Sequence, residues 1–383
     1  MAKNLAIFSA QYPPHMGGIE NFTRNLARAL ANRGNAVTVV TNDTNSIGIG
    51  WDCEDNFDVL RLPCVPLVDG RLPLPKPSAV RRELLKELDA REFDGVLVNA
   101  RFYPHSLLGM KTARAKGLAP LVLDHGSAYL SFSNPVLDPC VRAYEHAMTA
   151  LGKRYKPRYL GISRKSVEWL RAFGIGAEGV ISNSIDAAEF RECASKRDFR
   201  AELELDEGDF LVAFVGRFIP EKGISAIIEA SRTSELLNRR VVFALAGDGP
   251  LADEVKAAEG LSLRWMGRLG KDDVSALLQQ SDALCLPSRS EGFSTTLLEA
   301  GACGCPAVVT DIGGARELIP DDHYGTIIDS MDAAHITSAF VKLADNRELL
   351  SEQSENCMNF VEKNYSWDVT ARTVETLLAV TDA

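Results

Sequence analysis

The sequence predicts an α/β protein made of two doubly wound, Rossmann-like domains. Its 383 residues suffice for two domains of ordinary size, and an apolar share of 46% supports two sizeable cores. Short apolar runs rich in Val, Leu and Ile alternate with helical patterns in the N-terminal half, and the alternation recurs in the C-terminal half. Short apolar strands between helices are typical of a parallel sheet that is covered on both faces.

In the first half the pattern predicts six strands, four helices and two loops. The strands are Leu5–Ala10, Ala36–Asn42, Val59–Leu62, Gly95–Asn99, Pro120–Asp124 and Tyr159–Ile162. The helices are Ile19–Arg33, Ala79–Arg91, Pro104–Lys116 and Pro135–Arg154. Thr44–Gly50 and the segment Leu62–Pro77, which holds five prolines, are predicted loops.

The second half repeats the alternation after a link near Val180–Asp186. Its predicted strands are Leu211–Val215, Val241–Ala246, Leu263–Met266, Ala283–Leu286 and Ala307–Thr310. Its predicted helices are Ser225–Ser234, Leu251–Ala258, Lys271–Gln280 and Ser294–Gly301. A last apolar helix follows Tyr365-Ser-Trp367 and runs to Val380.

Two carboxylates with seven residues between them span a predicted loop and helix start in Glu291-Gly-Phe-Ser-Thr-Thr-Leu-Leu-Glu299. Ser294 is a good N-cap, and a helix N-terminus offers free N–H groups that suit a phosphate. Side chains on a helix lean toward its N-terminus, so Glu299 reaches back to a ligand there and can accept two hydroxyl hydrogen bonds from a ribose. Although glutamates in such positions are usually just solvated, this geometry suggests a nucleotide sugar, with Glu291 near the sugar.

With its flanks, through Glu299-Ala-Gly-Ala-Cys-Gly-Cys-Pro306 and Asp311-Ile-Gly-Gly314-Ala-Arg-Glu317, this segment resembles the signature of the retaining glycosyltransferases of family 4. The resemblance implies the GT-B fold, in which two Rossmann-like domains face a central cleft and the C-terminal helix crosses back to the N-terminal domain. It implies an acceptor-binding domain of residues 1–184 with 366–383, and a nucleotide-sugar-binding domain of residues 185–365.

Arg217 and Lys222 bracket a turn after the first strand of the second domain, in Gly216-Arg-Phe-Ile-Pro-Glu-Lys222-Gly223. Two fixed cations stabilise a departing nucleoside diphosphate without a metal, because negative charge grows there in the transition state. The run also resembles the family's diphosphate-binding loop. Both residues are therefore candidate catalytic and donor-binding residues.

Two glycines, Gly17 and Gly18, open the first helix and allow close approach of an anion to the backbone. The family has a similar glycine pair near its acceptor and donor phosphate. His15 reads equally as a plain loop histidine or a ligand contact, and Glu20 complements the helix dipole.

The resemblance adds further candidates. In this family a histidine at the position of His125, at the carboxyl end of a strand, contacts the donor sugar. Leu269 lies where the family holds the nucleobase by backbone contacts, and Phe293, Ser294 and Thr295 belong to the donor-binding helix start. Asn99 is a departure, because many members have a histidine there.

Charge and composition limit the partners, bound groups and cellular location that the sequence predicts. Residues 1–183 carry 23 Lys and Arg against 17 Asp and Glu, whereas residues 184–383 carry 19 against 35. The acidic total disfavours nucleic acid. Basic clusters lie at Arg81-Arg82 with Lys86, at Lys111 with Arg114 and Lys116, and over Lys153–Arg158. Each cluster alone is best explained as a solvated helix face, but as a set they allow peripheral contact with an anionic acceptor or lipid surface. The eight scattered cysteines predict no disulfide framework, and no metal site is seen. The N-terminus lacks a signal-peptide pattern, which favours a cytoplasmic protein.

Together with the family resemblance, which implies retention, the sequence predicts a metal-independent retaining glycosyltransferase without a cofactor. It would move a hexose-type sugar from a UDP- or GDP-sugar to a hydroxyl of a glycan or lipid-linked acceptor, in cell-surface polysaccharide or lipopolysaccharide synthesis. The alternatives are a nucleotide-sugar epimerase or phosphorylase of the same fold, and a non-catalytic nucleotide-sugar-binding protein.

Overall fold

Two units make up the computed structural model, which describes residues 2–15, 17–68, 70–130 and 137–379. The first unit contains the residues up to Asn183 and those from Trp367 onward, and the second contains Ser184–Ser366. The predicted domain boundaries each lie one residue from these positions. No helix in the described ranges combines the length and apolarity that crossing a membrane requires.

The first unit is built on an eight-stranded sheet in the order β10-β9-β8-β7-β1-β2-β4-β3. All neighbouring strands are parallel except the edge pair β3 and β4. The strands are β1 (Asn4–Phe8), β2 (Ala36–Asn42), β3 (Gly50–Glu54), β4 (Phe57–Leu62), β7 (Gly95–Asn99), β8 (Leu121–Asp124), β9 (Arg158–Gly161) and β10 (Gly179–Val180), with β5 (Cys64–Leu67) and β6 (Leu72–Pro75) outside this sheet.

All helices of the first unit except the C-terminal one lie between these strands along the chain, as a doubly wound fold requires. The helices are α1 (Gly18–Asn32), α2 (Ala79–Ala90), α3 (Pro104–Ala115), α4 (Leu137–Lys153), α5 (Arg164–Leu170) and the C-terminal α16 (Trp367–Ala379). Serine N-caps begin two of them, since Ser78 and Ser163 accept hydrogen bonds from the N–H groups of Arg81 and Ser166.

The second unit contains a six-stranded, all-parallel sheet in the order β13-β12-β11-β14-β15-β16. Its strands are β11 (Phe210–Val215), β12 (Val241–Ala246), β13 (Leu263–Gly267), β14 (Ala283–Leu286), β15 (Ala307–Thr310) and β16 (Thr326–Ile328). Its helices are α6 (Ala187–Glu192), α7 (Phe199–Glu202), α8 (Ile224–Ala230), α9 (Ser234–Leu237), α10 (Ala252–Ala258), α11 (Lys271–Gln280), α12 (Thr295–Ala302), α13 (Ala315–Leu318), α14 (Ala333–Asp345) and α15 (Arg347–Asn364).

Each unit has its own core. Central strands such as β11 and β12 are apolar on both faces because helices cover both, so almost every residue of these strands is buried. Phe214, Phe243 and Phe340 anchor the core of the second unit, and Phe8, Val98 and Val122 lie in that of the first.

The C-terminal helix α16 packs on the first unit, as the resemblance implied. The Arg158 Nη1 donates to the carbonyl of Leu377 over 2.6 Å, and the Asn35 Nδ2 donates to Glu375 Oε1 over 2.7 Å. The predicted end of this segment, residues 380–383, lies outside the described residues.

Several predicted elements need correction. The proline-rich segment Leu62–Pro77 was predicted as a loop, but β5 and β6 within it pair as an antiparallel ribbon. An isolated two-stranded ribbon tolerates proline because each strand has an edge that makes no ladder bond. Gly50, predicted to end a loop, begins β3, and the helix predicted over Ser225–Ser234 ends at Ala230. The predicted helix start Pro135 lies outside the described residues.

Candidate functional site

The carboxyl ends of the strands in the second unit bring most of the predicted donor-binding residues to one edge of the sheet. Arg217 and Lys222 follow β11, while Glu291 and Ser294 follow β14. These two strands pair in parallel, with Val212 opposite Ala283 and Ala213 opposite Leu284. Loops from neighbouring parallel strands leave the sheet at the same edge, where ligands of such folds bind.

The loop that carries Lys222 packs directly against the loop that carries Glu291. Gly223 has a φ of +72°, and a Cβ there would lie 2.7 Å from the carbonyl oxygen of Pro287. The backbone N–H of Arg289 donates to the carbonyl of Glu221 over 2.7 Å. Only glycine gives both the left-handed backbone and this close approach, so Gly223 sets the distance between the loops.

Lys222 and Glu291 form an ion pair across these loops. The Lys222 ammonium donates to Glu291 Oε1, and Ser288 Oγ donates to the same oxygen over 3.0 Å. Both charged side chains are only 17% exposed, so water screens them weakly. An ammonium has three protons, so Lys222 can keep Glu291 and still donate to an oxygen of a ligand.

Helix α12 starts beside this ion pair, and the loop before it packs against two glycines in the loop that follows β15. Ser294 Oγ accepts from the N–H of Leu297 over 3.2 Å, which caps the helix in the predicted way. A Cβ on Gly313 would lie 2.8 Å from the Cβ of Glu291, and one on Gly314 would overlap the Phe293 ring. The glycines therefore make room for the loop that presents Glu291 and Phe293.

Glu299 lies further along α12, in surroundings that disfavour its charge. Burial raises the pKa of its carboxyl to about 7, and the nearby Lys271 ammonium opposes that shift. Lys271 itself donates to Glu189 Oε1 over 2.8 Å. Glu299 therefore changes charge near neutral pH.

Two of the predicted donor-binding residues, Arg217 and Leu269, line a cavity of about 680 Å³. Gly247 and Gly249 also line it, and added Cβ atoms there would collide with the backbone of Gly216 and Phe218. The exposed Arg217 guanidinium has no hydrogen-bond partner within the described part of the chain. This leaves the cation available to an anionic ligand.

His125 lies at the end of β8 in the first unit, as predicted, and contacts side chains from two other elements. Its Nε2 lies 3.0 Å from Oδ1 of Asn99, the last residue of β7. Its ring stands edge-on to Phe22 of α1, with centroids 5.1 Å apart. Burial lowers the pKa of His125 to about 3, so the ring is neutral at physiological pH.

The predicted anion site at the start of α1 contains a carboxylate. Gly17 is the N-cap of α1, and a Cβ on it would collide with the Glu20 carboxyl group. Glu20 is buried, and its Oε1 lies 3.2 Å from His15 Nδ1. An anion that approached Gly17 and Gly18 would meet this negative charge unless His15 neutralised it. The residue between His15 and Gly17 lies outside the described ranges.

Two residues that contact the candidate site were not predicted from the sequence. The basic clusters, predicted to be solvated, also make contacts within the first unit. Ser288 and Lys271 were not predicted, since nothing local in the sequence indicates their contacts with Glu291 and Glu299. Several cluster cations donate to backbone carbonyls inside the first unit, namely Arg81, Arg114, Lys116, Lys153 and Arg158. No group of three or more His, Cys, Asp or Glu that could hold a metal occurs among the residues the structure describes.

Comparison with known proteins gives two family matches that follow one another along the chain. Residues 16–189 match the model of Glycosyltransferase Family 4, and residues 195–365 match the model of Glycosyl transferases group 1.

Among curated relatives, an uncharacterized glycosyltransferase of Methanocaldococcus jannaschii is 31% identical over 172 residues, which cover 44% of this chain and 47% of the relative. The Escherichia coli UDP-Gal:alpha-D-GlcNAc-diphosphoundecaprenol alpha-1,3-galactosyltransferase is 29% identical over 194 residues, covering 49% of this chain and 50% of the relative. The chain thus spans about half the length of these two relatives.

Among solved structures, Anabaena HepE in complex with UDP superposes with a TM-score of 0.71 at 18% identity. The superposition covers 99% of this chain and 100% of that one. At this level of identity the likeness concerns the fold.

Proposed function

Because the chain belongs to the glycosyltransferases of family 4 and group 1 and has the GT-B fold, we propose that it is a retaining, metal-independent enzyme that moves a hexose-type sugar from a UDP- or GDP-sugar to a hydroxyl group. The acceptor is a glycan or a lipid-linked sugar, in the synthesis of cell-surface polysaccharide or lipopolysaccharide. The relative that acts on UDP-Gal and a diphosphoundecaprenol acceptor, and the neighbour that binds UDP, support these classes.

The observation that carries the proposal is the meeting of cations, a helix start and two carboxylates at one edge of the second sheet. Arg217 is available beside the cavity, and Lys222 keeps two protons for a ligand while paired with Glu291. The capped start of α12 faces the same edge. These groups offer a partner to each part of a nucleotide sugar: cations for the diphosphate, Glu291 for the sugar and Glu299 for the ribose.

The reaction assigned to this site breaks the bond between the sugar C1 and the diphosphate oxygen. The acceptor oxygen forms its bond to C1 on the same face, and the acceptor proton passes to the departing phosphate, so retention follows. Arg217 and Lys222 stabilise the charge that develops on the leaving diphosphate, which replaces a divalent cation in this role. Glu291 positions the sugar and Glu299 binds the ribose hydroxyls, and the family resemblance also assigns His125 to the sugar.

The test measures nucleoside diphosphate release from a panel of UDP-, GDP- and ADP-sugars in EDTA, with glycan and lipid-linked acceptors. We expect release from one donor, and product NMR that shows the anomeric configuration of the donor. The Arg217→Ala variant should lose about 3–4 kcal/mol of transition-state stabilisation, a hundred- to thousandfold in rate. Arg232→Ala is the matched control, because Arg232 is exposed and follows α8 at the opposite edge of the sheet.

Three results would contradict parts of the proposal. Activity that requires an added divalent cation would remove the metal-free mechanism, and an inverted product would remove retention. Loss of less than about threefold in Arg217→Ala would remove Arg217 from the leaving-group site. Binding of UDP or GDP without turnover of any sugar would favour a nucleotide-sugar-binding protein instead.

A further inference from the structure

Asn99 and His125 form the end of a hydrogen-bond chain that crosses three elements of the first unit. Thr23 Oγ1 on α1 donates to the carbonyl of Ile19 over 2.7 Å. Asn99 Nδ2 donates to the same Thr23 oxygen over 2.8 Å, and Asn99 Oδ1 lies 3.0 Å from His125 Nε2. Asn99 is 1% exposed and Thr23 is fully buried, so water does not compete for the bond between them.

This chain of hydrogen bonds determines which ring nitrogen of His125 carries the proton. Thr23 donates its single hydroxyl proton to the carbonyl of Ile19, so toward Asn99 its oxygen must accept, and the amide NH₂ of Asn99 is the donor. This leaves only the amide oxygen of Asn99 to face the ring. An amide oxygen cannot donate, so His125 Nε2 must carry the proton, and Nδ1 retains its lone pair.

The ring is also fixed in orientation. Phe22 meets it edge-on, and Phe22 in turn meets Trp367 of α16, with centroids 5.6 Å apart. The backbone that follows is held as well, because Asp124 Oδ1 accepts from the N–H of Gly126 over 3.0 Å. His125 therefore has one tautomer and one orientation before any donor arrives.

Among the residues that the structure describes, the charged side chains on the elements around His125 have other partners. Asp124 and Glu145 are both paired with the buried Arg101, and Glu20 on α1 lies against His15. On α16, Asp368 pairs with Arg33 and Arg372. No residue of the described ranges hydrogen-bonds to His125 Nδ1.

We propose that Asn99 is a positioning residue that holds His125 as the neutral Nε2–H tautomer, so that His125 meets the donor sugar as a hydrogen-bond acceptor through Nδ1 and takes no part as an acid. The contact with the sugar rests on the proposed function. The tautomer of His125 and its control by Asn99 do not depend on the proposed function. The partner of Nδ1 is accordingly a sugar hydroxyl that donates, and a deoxy or fluoro sugar at that position would lose the bond.

The first measurement follows the histidine ¹⁵N NMR signals of the protein without donor, between pH 8 and 5. The chain has six histidines, and the spectrum of His125→Gln identifies the signal of interest. We expect the neutral Nε2–H tautomer across the whole range. A signal that titrates near the ordinary histidine pKa of about 6.5, or an Nδ1–H tautomer, would overturn the proposal.

The second measurement changes Asn99 in two ways. Asn99→Asp keeps an acceptor for Nε2–H but adds a negative charge, so the His125 signal should begin to titrate between pH 5 and 8. The kcat at saturating donor should then fall at low pH along the same titration, because a doubly protonated ring cannot accept. Asn99→Leu removes the acceptor and should lower kcat by about tenfold without any new titration.

The matched control is Asn35→Asp, since Asn35 is also buried in the first unit but is bonded to Leu30 and Glu375. It should leave the His125 signal unchanged. If Asn99→Asp moved neither the NMR titration nor the kcat profile, Asn99 would have no control over His125.

A pair of substitutions at His125 tests the acceptor role separately. Asparagine places its amide oxygen near the position of Nδ1, whereas glutamine places its amide near Nε2. We expect His125→Asn to retain more kcat than His125→Gln, and the reverse order would overturn the acceptor role. A locked tautomer in a protein that turns over no nucleotide sugar would contradict the proposed function while leaving the role of Asn99 in place.

Discussion

The carboxyl group of Glu299 titrates within the pH range of ordinary assays, because burial raises its pKa to about 7. In the proposed role of Glu299, its carboxylate can accept two hydroxyl hydrogen bonds from a ribose above this pH, and the protonated group loses part of that capacity below it. We therefore expect the donor KM to rise as the pH falls from 8 to 6, by up to about tenfold per unit below the pKa. The measurement is a pH series of donor KM.

Two variants separate Glu299 from other titrating groups. Glu299→Gln has no charge to lose, so its KM should be high and independent of pH over this range. Lys271→Met removes the cation that opposes the shift and should move the KM change to higher pH. A KM change that stayed in place in Glu299→Gln would assign the titration to another residue.

The raised pKa of Glu299 also makes the stability of the fold depend on pH, in a direction that follows from the shift. A carboxyl whose pKa is higher in the folded chain than in the unfolded chain favours folding in its protonated form. Its stabilising contribution is therefore complete below the unfolded pKa of about 4.5 and is lost as the pH rises through about 7. Glu299 thus carries a stability cost at the pH where the proposed ribose contact would be strongest.

At the scale of elements, the loop before α12 depends on the glycine pair that follows β15. A methyl group on Gly314 would overlap the Phe293 ring, whereas one on Gly208 in the same unit would meet no atom within 4 Å. We expect Gly314→Ala to displace the loop and to cost about 1–3 kcal/mol of unfolding free energy. Donor KM should rise in the same variant. Gly208→Ala is the control, and equal effects from both substitutions would mean that overlap with Phe293 is not the cause.

Elements with a strong local pattern were predicted closely, and elements set by distant contacts were not. The strands Ala36–Asn42 and Val241–Ala246 and the helix Lys271–Gln280 have the predicted bounds, because each is a continuous periodic run between clear breakers. The β5–β6 ribbon was missed because its prolines weigh against a strand in any local rule. Its pairing is visible only in three dimensions.

The candidate site shows the same division. The motifs located Arg217, Lys222, Glu291 and Glu299 at one sheet edge, since carboxyl ends of parallel strands share an edge. The Lys222–Glu291 pair itself joins residues 69 positions apart and needs β11 and β14 to be neighbours in the sheet. No local sequence pattern indicates the order of the strands in the sheet. The contact between Asn99 and His125 was hidden for the same reason, because it joins the ends of β7 and β8.

At the scale of the whole molecule, the chain leaves the first unit, forms the second and returns to complete the first. Tyr365 belongs to the second unit, where its hydroxyl donates to the carbonyl of Glu317 over 2.6 Å. Trp367, two residues later, belongs to the first and packs on Phe22. The helix Trp367–Ala379 therefore completes the fold of the first domain, and its Trp367 packs on the same Phe22 ring that His125 contacts.

The return of the chain predicts that neighbouring substitutions affect different units. Trp367→Ala removes a half-buried aromatic from Phe22, which should destabilise the first unit by about 2 kcal/mol, less than the loss for a fully buried ring. Hydrogen exchange should accelerate in α1, β1 and β7 and stay unchanged in β11, β12 and β14. Tyr365→Ala is the matched control and should give the reverse pattern, because its ring packs on Phe293 and Phe360 in the second unit. Equal acceleration of exchange in both units by Trp367→Ala would show that the two units unfold as one and that α16 does not act on the first alone.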